Sequence, residues 1–437
     1  MRWTLQNIAT VSDGNIIGDD CSGNGAAFDS RLVEQGQLFV SVPSSADDAQ
    51  QTAWINDAIA NGATAALTQR DHNAASLAPS LGVPTIVVDD VERALGLVAN
   101  GIRQTLDIPV VGITGSVGKT STKDFCAAAL SAKLRTHVNT ANFNNEIGMP
   151  TTILNAPQDV EAMVLEMGMR GFGQITSLCN IAQPTHAIVT RVAPVHTELV
   201  GDIAGVARAK GELVESLSPT GIAILNADDD NVIAMSGRTM ARTVSYGYAG
   251  EVRLVSVVLN DAGYPTVVVE SPWGNVTYRL GVMGEHQAHN SVAALATAMV
   301  LGIDPSDAAD ALSRATLSKW RMQRVTNANG AVIINDAYNA SPASVQAALR
   351  TLAAIDATRR VAVLGRMAEL GANETAYHLE VASLAAQLGI QLVAVETPLY
   401  QQEPVTKDQA RSLLTALGAR DAALVKASRS AGLDQLV

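Results

Sequence analysis

The chain has 437 residues, 47% of them hydrophobic and 4% aromatic, and a formal net charge of −12 at pH 7. That length implies two to four domains, and a composition rich in Ala, Val, Leu and Gly suits an α/β fold. The acidic balance argues against wholesale binding of nucleic acid or an anionic membrane, so an anionic substrate must be met by local positive charge.

The N-terminal stretch "MRWTLQNIATVSDGN" lacks an apolar signal core. Residues 1–107 read as a small α/β domain. "QLFVSV" and "PTIVVD" predict strands, and "AWINDAIANGA" predicts a helix ended by Gly62. "LDIPVV" is the predicted linker, because Pro109 breaks the preceding helix and a strand follows. From Val110 strands and helices alternate. "VVGIT", "AMVLEM", "THAIVT" and "IAILNA" are the short apolar runs of buried parallel strands, and "VARAKGELVESL" has helical periodicity. "VRLVSVVL" and "PTVVVES" predict a β-rich insertion. "VAALATAMVLGI" (292–303) is too short to span a bilayer and reads as a buried helix. A third unit begins near Leu317, where "AVIIND", "VAVLGR", "QLVAVE" and "AALVKAS" predict strands between helices. The expected domains are therefore 1–107, 108–316 and 317–437. Cys21, Cys126 and Cys179 form no CxxC pair. A zinc or disulfide framework is not expected, and a reducing cytoplasm is.

The segment "VVGITGSVGKTSTKDF" carries the clearest chemistry. It follows a predicted strand and opens a predicted helix, as phosphate cradling requires. Backbone N–H groups of Thr114, Gly115, Ser116, Val117, Gly118 and Ser121 can meet phosphate oxygens, Lys119 neutralises β/γ charge, and the Thr120 hydroxyl can bind Mg²⁺. The loop reads TGxxGKT, with Ile113 where a strict GxxxxGK[ST] has its first Gly. Three classes fit such a loop: an ATP-dependent ligase, a P-loop motor or switch, and a catalytically dead binding protein. The residues that follow favour the first. Glu166 ends one predicted strand, His196 follows another, and Lys210 stands on a helix. Strand ends in an open α/β sheet share one edge, so a carboxylate, an imidazole and a hydroxyl can converge on metal-bound phosphates. Taken alone, Lys210 reads as a solvated helix lysine and His196 as a loop histidine.

"GITGSVGKTSTK", "NFNNEIGMPTTIL", "LEMGMRGFGQI", "VAPVHTELVGD", "ARAKGEL", "LNADD", "GEHQAHNSVAALA", "INDAYNASPASVQAAL", "LGRMAELG", "YHLEV" and "AALVKASR" occur in that order. Together they resemble the Mur ligase family over nearly the whole chain, and "NNEIG", "AYNASP" and "MAELG" resemble its branch that adds D-alanyl-D-alanine to UDP-N-acetylmuramoyl-tripeptide (UDP-MurNAc-tripeptide). The resemblance implies three α/β domains: a nucleotide-sugar domain, a central P-loop ATPase-type parallel sheet, and a Rossmann-like C-terminal domain. It implies an ADP-forming ligase that works through an acyl phosphate. ATP and two Mg²⁺ are expected, with Thr120 and Glu166 on one metal and His196 on the other. Lys210, carbamylated by CO₂, is the expected second ligand there. Asn290, Arg321, Asp336 and Asn339 are the implied nucleotide contacts. Their plainer readings are an Asn helix cap, a surface Arg and turn residues. Ser30 and Arg31 in the DSR motif, with Asn144 and Asn145, are the implied contacts to the sugar-peptide substrate. A cytoplasmic monomer that binds neither nucleic acid nor a membrane is expected. His378 matches a recurrent family histidine and has no assigned role. The pattern departs from the family after Val42, where "PSSADDAQQTAWINDA" lacks the usual Gly turn and DGH segment, and at Asn335, where many relatives have Asp. The alternative is a related amide ligase of a specialised pathway acting on another nucleotide-linked carboxylate.

Overall fold

The computed structural model describes residues 1–42, 48–70, 82–140, 142–194 and 197–437. These form two compact units, one of Met1–Gly112, Leu134–Met169 and Gly173–His186, the other of Ile113–Lys133, Arg170–Phe172 and Ala187–Val437.

In the first unit, β1 (Arg2–Thr4) pairs antiparallel with β3 (Ser22–Asn24), beside α1 (Leu5–Ser12). A five-stranded sheet follows, built from β2 (Asn15–Ile17), β4 (Ala26–Ala27), β5 (Leu38–Val40), β6 (Ala65–Gln69) and β7 (Thr85–Val88), in the order β2-β7-β6-β5-β4. Only β2 runs antiparallel. The apolar runs of β5 and β7 are buried throughout, as strands covered on both faces must be. Helix α2 (Asp48–Ala60) covers the sequence expected for it; part of the altered segment after Val42 lies outside the described residues. Helix α3 (Val91–Gln104) starts at Asp90, whose carboxylate accepts the Arg93 N–H at 2.9 Å. Its buried Val91, Ala94, Leu95, Val98 and Ala99 follow helical spacing. Arg103 closes it by donating to the carbonyls of Ala182 and Leu106. The expected linker "LDIPVV" follows directly and leads into β8 (Val110–Thr114), which begins in this unit. Here β9 (Thr136–Val138) pairs parallel with β10 (Ala162–Glu166), and α5 (Gly148–Leu154) and α6 (Gln174–Ala182) complete the unit.

The second unit holds α4 (Lys119–Leu130) and most of β11 (His186–Val189). Next come α7 (Thr197–Val200), α8 (Ile203–Glu215), β12 (Ile222–Asn226), α9 (Asp230–Ile233) and β13 (Arg242–Gly247). Strands β12, β13 and β14 (Val252–Leu259) pair parallel, and β14, β15 (Pro265–Glu270) and β16 (Val276–Arg279) pair antiparallel. The expected β-rich insertion is thus an antiparallel extension of a parallel sheet. Helix α10 (Glu285–Val300) is buried nearly all round, as its composition predicts. After α11 (Pro305–Ser313) a second sheet forms from β17 (Gln323–Thr326), β18 (Val332–Asn335), β19 (Arg359–Leu364), β20 (Gln391–Ala394) and β21 (Asp421–Lys426). Its order is β17-β18-β21-β19-β20, with only β17 antiparallel. Helices α12 (Pro342–Ala354), α13 (Glu374–Gln387) and α14 (Lys407–Ala416) alternate with these strands, and Val361, Val363, Val393, Ala423 and Val425 form part of the core on one face. No helix among the described residues is long and apolar enough to cross a membrane.

Candidate active site

The loop from β8 to α4 is fixed by main-chain and hydroxyl contacts. The Ser116 N–H donates to the Arg191 carbonyl at 2.7 Å, and its hydroxyl donates to the Ala193 carbonyl at 2.9 Å. The Thr190 hydroxyl donates to the Val117 carbonyl at 2.7 Å. Gly115 has φ +150°, and the Thr190 hydroxyl fills the place a Cβ would take there. Only glycine fits both the conformation and the approach. The Lys119 ammonium donates to the Gly115 carbonyl at 2.8 Å, so its cation arches over the loop. Gly118 precedes α4 without a side-chain cap. A helix start of this kind, with its partial positive charge and a lysine above it, is built to hold an anion such as phosphate. Thr114, Thr120 and Ser121 are buried at the two ends of the loop.

Asn290 lies in the second turn of α10, not at a helix cap. Its amide nitrogen donates to Gln287 at 2.9 Å, and its amide oxygen stands 2.6 Å from where a Gly118 Cβ would be. The cap reading is therefore wrong, and the residue abuts the phosphate loop. Arg321 is no free surface arginine either. Its guanidinium donates to the Thr120 hydroxyl at 2.8 Å and stacks 4.1 Å above the Tyr338 ring. Trp320 and Met322, on either side of it, have φ of +61° and +47°. Three residues earlier, Ser318 donates its N–H and hydroxyl to the two oxygens of Asp124 on α4, at 2.7 and 3.1 Å. The segment opening the C-terminal part is thus strapped along the helix that begins with Lys119.

Asp336 follows the end of β18. One carboxylate oxygen accepts the Met322 N–H at 3.0 Å, and the other lies 2.5 Å from the Lys426 ammonium. Lys426 also donates to the Asn339 carbonyl at 2.8 Å, while the Asn339 side chain accepts its neighbour Ala340's N–H, a turn contact. Burial pushes the Lys426 pKa down, against the pull of Asp336. Next to this pair, burial pushes His286 down to about 4, and its Nδ1 is buried without a hydrogen-bond partner.

Lys210 is not the solvated lysine that its helix alone suggests. Helix α8 starts at Asp202, which accepts the Gly205 N–H at 2.8 Å, and buries Val206, Ala209, Leu213 and Val214. Lys210 lies on that buried face, 2% exposed. Burial first, and the Lys119 charge second, push its pKa well below the ordinary lysine value. Such a site favours the neutral, nucleophilic amine. His196 lies outside the described residues.

In the first unit, Glu166 ends β10, 3% exposed, and accepts the Asn144 amide at 2.8 Å. Asn139 brackets its main chain, accepting the Glu166 N–H at 2.9 Å and donating to its carbonyl at 3.2 Å. Asn145 accepts the Gly148 N–H at 2.9 Å, which starts α5. Ser30 is buried and opens a 3₁₀ turn. The fork of Arg31 grips its neighbour Asp29 at 2.6 and 2.9 Å. His378 supports the "MAELG" loop: Nε2 accepts the Met367 N–H at 3.0 Å, and Nδ1 lies 2.7 Å from the Glu374 carbonyl. Sequence reasoning missed Thr190, Asp124, Tyr338 and Lys426. For Thr190 and Lys426 the available signal was a polar side chain closing an apolar strand.

A phosphate loop, an asparagine packed against it and a desolvated lysine together suit transfer of a phosphoryl group. Residues 113–298 match the Mur ligase middle domain, and residues 320–437 match the Mur ligase, glutamate ligase domain. A UDP-N-acetylmuramoyl-tripeptide–D-alanyl-D-alanine ligase of Bacillus subtilis is 30% identical over 459 residues, covering 100% of this chain and 98% of its own. A MurF crystal structure from Acinetobacter baumannii superposes with a TM-score of 0.88 at 26% identity, covering 100% of this chain and 98% of that one. MurF ligase of Thermotoga maritima, in complex with ADP, gives a TM-score of 0.79 at 26% identity over 95% of this chain and 96% of its own. With both domain models and a full-length relative in agreement with the phosphate loop, the chain belongs to the Mur ligase family.

Proposed function

We propose that this chain is the ATP-dependent, ADP-forming ligase that joins D-alanyl-D-alanine to UDP-MurNAc-tripeptide, making the pentapeptide precursor of peptidoglycan. The observation that carries the reading is the loop Gly115–Thr120, with Lys119 over it and Arg321 on Thr120, in a chain similar end to end to ligases of that name. The γ-phosphoryl group passes from ATP to the terminal carboxylate of the tripeptide, and ADP leaves. The amine of D-alanyl-D-alanine attacks the acyl carbon, the tetrahedral adduct expels phosphate, and an amide remains. Loop amides and Lys119 hold the phosphates and offset charge on the group in flight. Arg321, Asn290, Asp336 and Asn339 bind and orient the nucleotide. Ser30, Arg31, Asn144 and Asn145 belong to the sugar-peptide side, where Arg31 exchanges Asp29 for a diphosphate.

Two Mg²⁺ ions, when bound, neutralise phosphate oxygens. Thr120, Glu166, His196 and carbamylated Lys210 are the proposed ligands, mostly the oxygen donors that this cation prefers. A lysine amine must be neutral to take up CO₂, and the desolvated setting of Lys210 supports that state. The domain division 1–107, 108–316 and 317–437, a cytoplasmic location and a monomeric state belong to the same reading.

Phosphate release from ATP tests it. Release should require UDP-MurNAc-tripeptide and D-alanyl-D-alanine together, with one amide formed per phosphate. No release with this pair, but release with another nucleotide-linked carboxylate, would establish the specialised-pathway alternative instead.

A further inference from the structure

Beside Lys210, helix α8 is gripped from outside by an arginine that no step of the reaction uses. Arg238 ends a short 3₁₀ helix, Ala234–Arg238. Its guanidinium donates to two main-chain carbonyls of α8, Ala207 at 3.1 Å and Arg208 at 2.9 Å. Its Nε donates to Glu215 one turn further on, at 2.8 Å. A helix carbonyl keeps a second lone pair after bonding its own i+4 amide, so these contacts add to the helix ladder. They are possible because residue 211 is glycine: the guanidinium carbon and its two terminal nitrogens crowd the place of a Gly211 Cβ. On the same turn the Arg208 guanidinium stacks 4.0 Å above the Phe172 ring. The turn 207–211 is therefore fixed by two independent devices, and the side chain it carries inward is Lys210, 2% exposed.

We propose that Arg238 is a positioning residue for Lys210, acting through the carbonyls of Ala207 and Arg208, and that Gly211 is glycine to admit its guanidinium. The proposal rests on Lys210 serving at the active site. A planar fork with three donors in use suits the task, because it restrains both translation and rotation of the turn, where a lysine at 238 would hold one point. Catalytic groups displaced by about 1 Å by a remote change cost up to about a hundredfold in rate.

The test uses the full-length enzyme and the variants Arg238→Gln, Arg238→Lys, Gly211→Ala and Gly211→Ala/Arg238→Gln. Arg238→Gln should lower kcat at least about tenfold, with KM for ATP and D-alanyl-D-alanine within about twofold of wild type. Arg238→Lys should recover part of the loss. Amide hydrogen exchange at Gly211 and Glu212, whose N–H groups share these carbonyls, should quicken in the apo protein, while exchange in β12 and α10 stays as in wild type. Gly211→Ala should reproduce the defect. The double variant should be no worse than Arg238→Gln alone, since the methyl then enters vacated space. Wild-type kcat in Arg238→Gln, or quickened exchange throughout the unit, overturns the proposal. Lys210→Ala separates the two readings: an active Lys210→Ala enzyme refutes the role of Lys210 itself. An inactive one beside a fully active Arg238→Gln refutes only the positioning role.

Discussion

Replacing Gly115 by alanine tests whether the phosphate loop works as a rigid cradle. At φ +150° an L-residue is strained, and the added Cβ would overlap the Thr190 hydroxyl, with the Thr190 Cβ at 3.1 Å and the Arg191 amide nitrogen at 3.2 Å. That hydroxyl cannot simply turn away, because Thr190 is 4% exposed and holds the Val117 carbonyl at 2.7 Å. The backbone strain costs roughly 1–3 kcal/mol, and stranding the Val117 carbonyl costs about 1–3 kcal/mol more. The sum, about 2–6 kcal/mol, must appear either as lost stability or as a displaced loop. If the loop moves, ADP binding weakens by at least about thirtyfold, since about 1.4 kcal/mol is a factor of ten. Calorimetric titration with ADP, paired with a thermal melt, reads both channels. A variant that binds ADP within about threefold of wild type and melts within about one degree refutes the reasoning. Thr190→Ala in the Gly115→Ala background should restore part of the loss, because it removes the overlapping atom but not the strain.

Lys119→Ala should cut turnover by on the order of a hundredfold or more while the melting temperature holds, because the ammonium acts on developing phosphate charge; retention of a tenth of the wild-type rate would count against the assignment. Lys210→Arg and Lys210→Ala should both be inactive, since arginine stays protonated and cannot carry CO₂, and formate or acetate should revive the alanine variant in part. Normal rates for both variants would remove Lys210 from the site. His286 gives the pH prediction. Its pKa falls from the ordinary 6.5 to about 4 in the folded chain, chiefly through burial, with Asp336 opposing and Lys426 and His289 assisting. The unfolded chain therefore binds the proton first, so the stability is complete above pH 6.5 and is lost as pH falls toward 4. The loss is on the order of 3 kcal/mol. Urea unfolding across that window should show wild type losing stability more steeply than His286→Gln, and parallel curves would be the contrary result.

How far the sequence discloses such a site depends on where polar residues fall against apolar pattern. Strands β8, β10, β11 and β12 were legible because apolar runs of four to six residues admit few other readings, whereas β9 ("THV"), β13 ("RTVSYG") and β16 ("VTYR") mix polar residues into short runs and were not read. Strands β1 to β4 were not, since "RWT", "NII", "SGN" and "AA" are too short to show a period. Lys210 carried a signal that composition hides: with Val206 and Leu213 it falls on the i, i+4, i+7 stripe of α8, so its burial was written in the spacing. Arg321 and Asn290 carried none in their local pattern and were singled out only through the family resemblance, because their contacts join positions up to 201 residues apart. The same limit applies to Arg238, whose purpose shows only when Gly211 is found beneath it. A general rule nevertheless runs through the second unit. Thr190 follows β11, Asn226 ends β12, Asn335 ends β18 and Lys426 ends β21, all buried. Each is paired: Asn226 donates to the Thr190 carbonyl at 2.8 Å, Asn335 accepts the Ala337 N–H at 3.2 Å, and Lys426 meets Asp336. Buried polar groups must be satisfied, and the carboxyl ends of parallel strands are where an open sheet meets its ligands. A polar residue closing an apolar strand is therefore either holding a ligand or holding the loop that does. By that rule Thr190 of "THAIVTR" belongs to the binding edge of the sheet, and its hydroxyl does hold the Val117 carbonyl of the phosphate loop.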